Sequence, residues 1–105
     1  MKTDASFDDG ILTLSFCGEL DHHAARAAVR ELERAVETYL PSACVLELAG
    51  LTFMDSSGIA VILRALRRMK ELGGSMRVAG ACGQPLRVIT AAGIGGIVDI
   101  DALAV

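Results

Sequence analysis

Hydrophobic and polar positions follow two different periods along this chain, and the change between them predicts an α/β fold. Over residues 12–17 every second residue is strongly apolar, a period of two that is typical of a strand. Residues 3–8 form a weaker strand candidate, and Asp9-Gly10 between the two is a strong hairpin signal. Over residues 22–40 the apolar positions recur at spacings of three and four, which predicts a helix.

The rest of the chain repeats this change of period, so that strands and helices alternate. A short apolar run at 44–48 predicts a strand, and the apolar positions over 59–69 recur with a helical spacing. Gly73-Gly74 ends that helix with residues that tolerate positive φ. The elements predicted after it are a strand at 76–79, a short helix at 85–92 that begins with Pro85, and a strand at 97–100.

This order, β-β-α-β-α-β-α-β, predicts a mixed sheet. An N-terminal hairpin comes first, and each later strand is reached through a helix, which implies largely parallel pairing with right-handed crossovers. The helices then pack on at least one face of the sheet. We expect Gly18 to end the second strand. The length of 105 residues is that of one domain, which spans residues 1–105.

Composition and charge narrow the classes of function. Apolar residues make up 52% of the chain and charged residues 22%, which argues against disorder. The net charge is −3 and Trp is absent, so the sequence lacks the basic footprint and the stacking platform that direct nucleic-acid binding needs. No apolar run reaches the roughly 20 residues of a spanning helix, and the polar N-terminus has no signal core. We therefore expect a cytoplasmic protein that does not bind membranes.

The cysteines agree with a reducing compartment. Cys17, Cys44 and Cys82 are odd in number and far apart, and no CxxC pair occurs. This pattern predicts neither a disulfide framework nor a zinc site. We expect three reduced cysteines that serve as small buried hydrophobic residues.

Polar residues gather in two loops, each of which feeds a predicted helix. Residues 18–23 (GELDHH) follow the second strand, and residues 55–58 (DSSG) precede the second helix. Asp21 is a favourable N-cap for the first helix. Because the carboxyl ends of parallel strands meet at one edge of a sheet, we expect the two loops at the same edge.

Asp55-Ser56-Ser57-Gly58 is the sharpest feature of the sequence. One interpretation is structural, because Asp or Ser at this position caps a helix. The other is phosphorylation, since free N–H groups and the helix dipole stabilise a phosphoserine at a helix N-terminus. Gly58 would allow a close approach or an unhindered surface beside the serines. We expect Gly58→Val to weaken partner binding more than it lowers stability.

Enzymatic and metal-binding interpretations fit less well. A nucleophile elbow centred on Ser56 matches at Gly58 but has Met54 where the first glycine belongs. His22 and His23 are adjacent in a helix and point about 100° apart, which suits one metal ion poorly. No phosphate-binding loop occurs, and we expect no cofactor.

The second predicted helix has a basic side. Its members are Arg64, Arg67, Arg68 and Lys70. Cations near a helix C-terminus usually form a face that is exposed to solvent. The alternative interpretation is that they form a docking face for an acidic partner.

The two loops together resemble a known family. Residues 18–23, followed by a helix, and residues 51–59 (LTFMDSSGI), about 30 residues later, resemble the anti-sigma factor antagonists of the STAS-domain family. The order of the later elements is similar as well. The resemblance extends over about residues 3–100, and FMDSSG together with GELDHH is a specific combination.

The resemblance implies a phosphorylation switch that is not an enzyme. In this family the unphosphorylated form binds an anti-sigma factor that is also a serine kinase, which frees the sigma factor. The kinase uses ATP to phosphorylate the serine directly after the aspartate, here Ser56, and a PP2C-type phosphatase resets the switch. The partner-binding residues implied in this chain are Asp21, His22, Asp55, Ser56, Ser57 and Gly58.

Two departures and two alternatives accompany the resemblance, and the Gly-rich exit of the third predicted helix is the first departure. Family members usually continue into an amphipathic helix after the last strand, whereas this sequence stops at Val105, so we expect at most one turn of that helix, truncated within residues 101–104. A STAS protein that serves as a scaffold or as a subunit of a lipid-transport complex is one alternative, and a serine hydrolase is another. The intact D-S-S-G motif favours the antagonist.

Overall fold

The fold is a mixed β-sheet with helices packed on one of its faces, in a computed structural model that describes residues 1–102. The strands are β1 (Lys2–Asp8), β2 (Ile11–Leu20), β3 (Ala43–Glu47), β4 (Leu51–Met54), β5 (Ser75–Ala81) and β6 (Asp99–Ala102). The helices are α1 (His22–Tyr39), α2 (Ser56–Glu71) and α3 (Gly83–Ala91), with a short 3₁₀ helix at Ile94–Gly96.

The sheet topology confirms the predicted hairpin and the predicted parallel pairing. The strand order is β1-β2-β3-β5-β6, with β4 paired to β2 beside this path. Only the β1–β2 pair is antiparallel among the described strands. Its turn places Asp9 at φ 51° and Gly10 at φ 79°, and two consecutive positive φ angles suit the twist of a hairpin.

The core lies between the sheet and the pair α1 and α2. Leu12, Leu14 and Phe16 alternate along β2 and are fully buried, whereas Ile11 and Cys17 on the opposite face are exposed. Along β2 the sheet therefore has one covered and one open face, as the period of two predicts, whereas Val45 of β3 is buried on the second face as well.

Four details of the sequence-based prediction were wrong. Gly18 does not end β2, which continues to Leu20. Residues 51–54, expected only as a lead-in, form the strand β4. Helix α3 begins at Gly83 rather than at Pro85, and the last strand is displaced from 97–100 to Asp99–Ala102. The expected truncated helix concerns residues 101–104, of which 101–102 belong to β6 and the rest lie outside the described residues.

The three cysteines differ in burial, and the basic residues of α2 differ in their ion pairs. Cys44 is buried as expected, Cys82 is half-buried, and Cys17 is exposed, contrary to the prediction. Arg64 and Arg68 face α1, where Glu33 pairs with both at 2.8 and 2.9 Å. Those two arginines join the two helices, and Arg67 and Lys70 remain exposed. None of the described helices combines the length and the apolar character needed to cross a membrane.

Candidate functional site

Two helix N-termini lie side by side at one edge of the sheet. Strands β2 and β4 are parallel neighbours, and Leu20 at the end of β2 pairs with Met54 at the end of β4. The next residues are Asp21 and Asp55, and the Asp55 N–H donates to the Leu20 carbonyl at 3.4 Å. The structure therefore places the two polar loops next to each other, as the order of elements predicts.

A change of strand partner at Gly18 makes this arrangement possible. The first part of β2 pairs with β3, and pairing with β4 begins at Gly18, after which the β2–β4 register shifts between Gly18 and Glu19. Gly18 adopts φ +102°, a conformation that favours glycine. Its N–H donates to the Gly50 carbonyl at 2.9 Å, and the Thr52 hydroxyl donates to the Gly18 carbonyl at 3.2 Å. The strand bends and changes its partner without ending.

Asp21 is the N-cap of α1. Its Oδ1 accepts from the backbone N–H of His23 at 3.0 Å and of Ala24 at 2.9 Å. The hydrogen bond from Ala24 is the main reason that the pKa of Asp21 lies below its ordinary value, and the His23 N–H and the two histidine side chains act in the same direction. Asp21 is therefore an anionic cap at neutral pH.

Asp55 has the same role for α2. Its Oδ1 accepts from the Ser57 N–H at 2.8 Å. Ser56 is the first helical residue and is exposed, whereas Ser57 is half-buried. The cap thus leaves the Ser56 side chain at the surface, directly at the positive end of the helix dipole.

Gly58 does not provide an exposed surface. It is buried, and an added Cβ would overlap Met54 Cγ and lie 3.0 Å from Met54 Sδ. Met54 is itself fully buried and cannot move away into solvent. Of the two roles expected for Gly58, the structure supports the close approach and not the unhindered surface. The prediction that Gly58→Val would affect binding more than stability conflicts with this packing.

A contact that the sequence did not indicate fixes the end of β4. Gln84 on α3 accepts from the Met54 N–H through Oε1 and donates to the Met54 carbonyl through Nε2, both at 2.8 Å. Its side-chain amide thus pairs with one residue of β4 as a neighbouring strand would. A single glutamine 30 residues away gives no periodic signal, so the sequence could not have revealed this clamp.

The histidines of the first loop touch each other. The rings of His22 and His23 have centroids 4.0 Å apart with their planes inclined by 38°, although adjacent helical positions were expected to diverge. Both side chains are exposed. Within residues 1–102 no three or more His, Cys, Asp and Glu side chains are grouped to hold a metal ion.

Comparison with known proteins adds a family and a fold. Residues 2–102 match the model of the STAS domain. An anti-sigma F factor antagonist from Paenibacillus polymyxa is 38% identical over 69 residues, which are 66% of this chain and 59% of that protein. The chain therefore spans about three-fifths of that relative.

Solved structures with low sequence identity share the whole fold. The anti-sigma factor antagonist SpoIIAA in its unphosphorylated form is 20% identical, with a TM-score of 0.83 over 98% of this chain and 89% of that one. SpoIIAA of Bacillus in the phosphorylated form is also 20% identical, with a TM-score of 0.75 over 98% of this chain and 92% of that one. At this identity the likeness concerns the fold.

Proposed function

Because this chain belongs to the STAS-domain family, we propose that it is an anti-sigma factor antagonist controlled by phosphorylation of Ser56. The unphosphorylated protein binds an anti-sigma factor that is also a serine kinase, and this binding frees a sigma factor. Phosphorylation ends the binding, and a PP2C-type phosphatase restores it. The protein acts in the cytoplasm, by binding rather than by catalysis.

One observation carries the proposal: Ser56 is the exposed first residue of a helix that begins beside a second capped helix. A kinase can reach the hydroxyl without unfolding the chain. The adjacent caps, Asp21 and Asp55, hold the first turns of both helices by hydrogen bonds, so Ser56 lies on a surface of two capped helix N-termini that a partner can recognise. Asp21, His22, Asp55, Ser56 and Ser57 form the contact surface, and Gly58 supports it from below.

A phosphate on Ser56 suits the fold itself. The N-terminus of a helix carries about half a positive charge and up to four N–H groups without a helical partner. Asp55 occupies the Ser57 N–H, but the dipole still acts on a phosphate at the first helical position. Phosphorylation therefore leaves α2 intact.

At an interface the same phosphate is unfavourable. A partner surface that fits a small neutral hydroxyl would face a group of about −2 charge next to Asp55. Desolvating that charge at a cost of roughly 3–4 kcal/mol weakens binding several hundred-fold, because each 1.4 kcal/mol is a factor of ten. The relative SpoIIAA, which is known in unphosphorylated and phosphorylated forms, supports a switch of this kind.

A binding experiment with variants of Ser56 tests the proposal. Wild-type protein is used to isolate an anti-sigma factor from the source cytoplasm, and its affinity is then measured by calorimetry. We expect Ser56→Ala to bind like the wild type and to resist phosphorylation by that kinase with ATP. We expect Ser56→Asp to bind at least roughly tenfold more weakly, since a carboxylate carries half of the phosphate charge.

Two controls separate the switch from a general charge effect. Ser75→Asp adds the same charge at the amino end of β5, the edge of the sheet opposite to Ser56, and should bind normally. Ser57→Ala should still be phosphorylated. Phosphate found on Ser57 alone would contradict the assignment of the residue, and an anti-sigma factor that binds Ser56→Asp as tightly as wild type would contradict the switch.

A further inference from the structure

A groove runs between α1 and α2 immediately beside the serines. Its volume is about 400 Å³, and its lining is mostly apolar. The floor and walls are formed by Ala25, Val29, Ser57, Ala60 and Val61, and two arginines of α1, Arg26 and Arg30, stand along it. We call this feature the Arg26–Arg30 groove.

The floor of the groove suits an apolar side chain. Val61 is buried and closes the floor of the groove, whereas Val29 is half-buried and Ala60 is exposed, so Val29 and Ala60 present apolar surface towards the open concavity. A partner that inserts an aliphatic or aromatic side chain there would remove this apolar surface from water, which is favourable in proportion to the area buried.

The arginines give the groove a charge that this chain does not neutralise. Arg26 and Arg30 are both exposed, and in the described residues no carboxylate lies within 4.0 Å of either guanidinium. They are four residues apart on α1, where like charges destabilise a helix slightly. Arg64, by contrast, is paired with Glu33 in the same layer. Other exposed cations of the described residues lack a carboxylate partner as well, but Arg26 and Arg30 are the pair that borders the groove beside the serines.

We propose that the Arg26–Arg30 groove binds a segment of the anti-sigma factor in which an apolar side chain is flanked by carboxylates. This inference rests on the proposed function and specifies the chemistry of its partner. The apolar side chain fills the groove over Val29 and Val61, and the carboxylates pair with the two guanidinium groups. Complementary charges of this kind set the register and the association rate of an interface.

The position of the serines connects this groove to the switch. Ser57 lines the groove, and Ser56 is its neighbour in the first turn of α2. A phosphate on Ser56 therefore places negative charge at the end of a groove that holds the carboxylates of the partner. Repulsion between like charges then adds to the desolvation of the phosphate, and both favour release.

Reversal of the two charges tests the proposal. We expect the double variant Arg26→Glu/Arg30→Glu to bind the isolated anti-sigma factor at least roughly 30-fold more weakly than wild type at low salt, because like charges then face each other. The affinity of the wild type should fall with added NaCl, and that of the variant should fall less or rise. Association rates from surface plasmon resonance should decrease in parallel.

Arg77→Glu is the matched control. Arg77 lies on the open face of the sheet, where it pairs with Asp101. Arg77→Glu changes the net charge of the protein by as much as either single substitution in the groove, Arg26→Glu or Arg30→Glu. It should bind the anti-sigma factor like wild type. If circular dichroism shows that the double glutamate variant is unfolded, Arg26→Gln/Arg30→Gln takes its place, with an expected loss of roughly fivefold.

Three outcomes overturn the inference. If the wild type binds an anti-sigma factor and the charge-reversed variant binds it equally well, the groove is not the docking site although the proposed function stands. If the wild type binds no anti-sigma factor, the proposed function fails and the inference fails with it. Loss of self-association in sedimentation, or of binding to phosphatidylglycerol vesicles, with unchanged anti-sigma affinity would assign the groove to a second copy or to a lipid surface instead.

Discussion

Asp21 and Asp55 show how single residues place the candidate site. Each directly follows the last residue of a strand, and each accepts hydrogen bonds from the first turn of the following helix, two for Asp21 and one for Asp55. The sequence predicts both caps, because an aspartate before an apolar helical stripe is a local signal. The neighbouring Ser56 is left exposed as a consequence of the same local geometry.

Gly58 gives the sharpest test of local packing. A side chain there would overlap Met54, which is fully buried, so Gly58→Val should lower the free energy of unfolding by roughly 2–3 kcal/mol. Replacing glycine within a helix otherwise stabilises it, so the sign of the change reports the contact. Urea unfolding followed by circular dichroism measures it.

Ala60→Val is the control for Gly58→Val. Ala60 lies two residues further along α2 and is exposed, so the same added volume should cost only about 0.5 kcal/mol of helix propensity. Equal destabilisation by the two substitutions would contradict the packing argument. The sequence indicated that a glycine was needed at this position. It did not indicate that the reason is packing against the buried side chain of Met54 rather than contact with a partner.

Among the strands and helices, β4 depends most on its neighbours. It has four residues and pairs with β2 on one side, and on the other side the Gln84 side chain forms hydrogen bonds with Met54. Gln84→Met removes both hydrogen bonds at nearly constant size and leaves the Met54 N–H and carbonyl unpaired. We expect a loss of roughly 1–3 kcal/mol in stability and faster amide exchange at Met54.

Arg87→Met is the matched control for the Gln84 clamp. Arg87 is an exposed polar residue on the same helix, α3, and its replacement should leave the Met54 amide protected. Gln84→Glu separates the two bonds, because a carboxylate accepts from the Met54 N–H but cannot donate to the carbonyl. Unchanged Met54 exchange in Gln84→Met would show that the clamp does not hold β4.

The missed strand β4 and the misplaced end of β2 share one physical cause. Residues 51–54 are too few to show a period, so β4 could not be distinguished from a loop that leads into α2. Gly18 is a common end signal, yet here its positive φ lets β2 bend and pair with β4. Both depend on contacts between segments more than 30 residues apart, whereas the helices and the longer strands follow from local periodicity.

For the molecule as a whole, the order of elements was predictable and decides where function can reside. Parallel strands place their carboxyl ends at one edge, so GELDHH and DSSG were predictable at the same edge, whereas their direct contact depends on the pairing of β2 with β4, which the sequence did not reveal. The contact between Glu33 and Arg64 and the Arg26–Arg30 groove could not be predicted, because they depend on how α1 and α2 are rotated against each other.

The stability of the whole fold should decrease in mild alkali because of one thiol. Cys44 lies in the central strand β3 and is buried, which raises its pKa to about 12. An unfolded chain ionises this thiol from about pH 8.5, so between that value and 12 the folded state holds a proton that the unfolded state has lost. The free energy of unfolding must then fall as the pH rises, by about 1 kcal/mol between pH 7.5 and 9.5.

Urea unfolding at several pH values, with reductant present, measures this slope for the wild type, Cys44→Ala and Cys17→Ala. Cys44→Ala is less stable at every pH because it leaves a cavity, but its free energy of unfolding should be flatter between pH 7.5 and 9.5. Cys17→Ala should keep the slope of the wild type, since Cys17 is exposed on the open face of the sheet. A slope that survives in Cys44→Ala would mean that another group carries the alkaline loss, and that the proton held on Cys44 does not contribute to the stability of the fold.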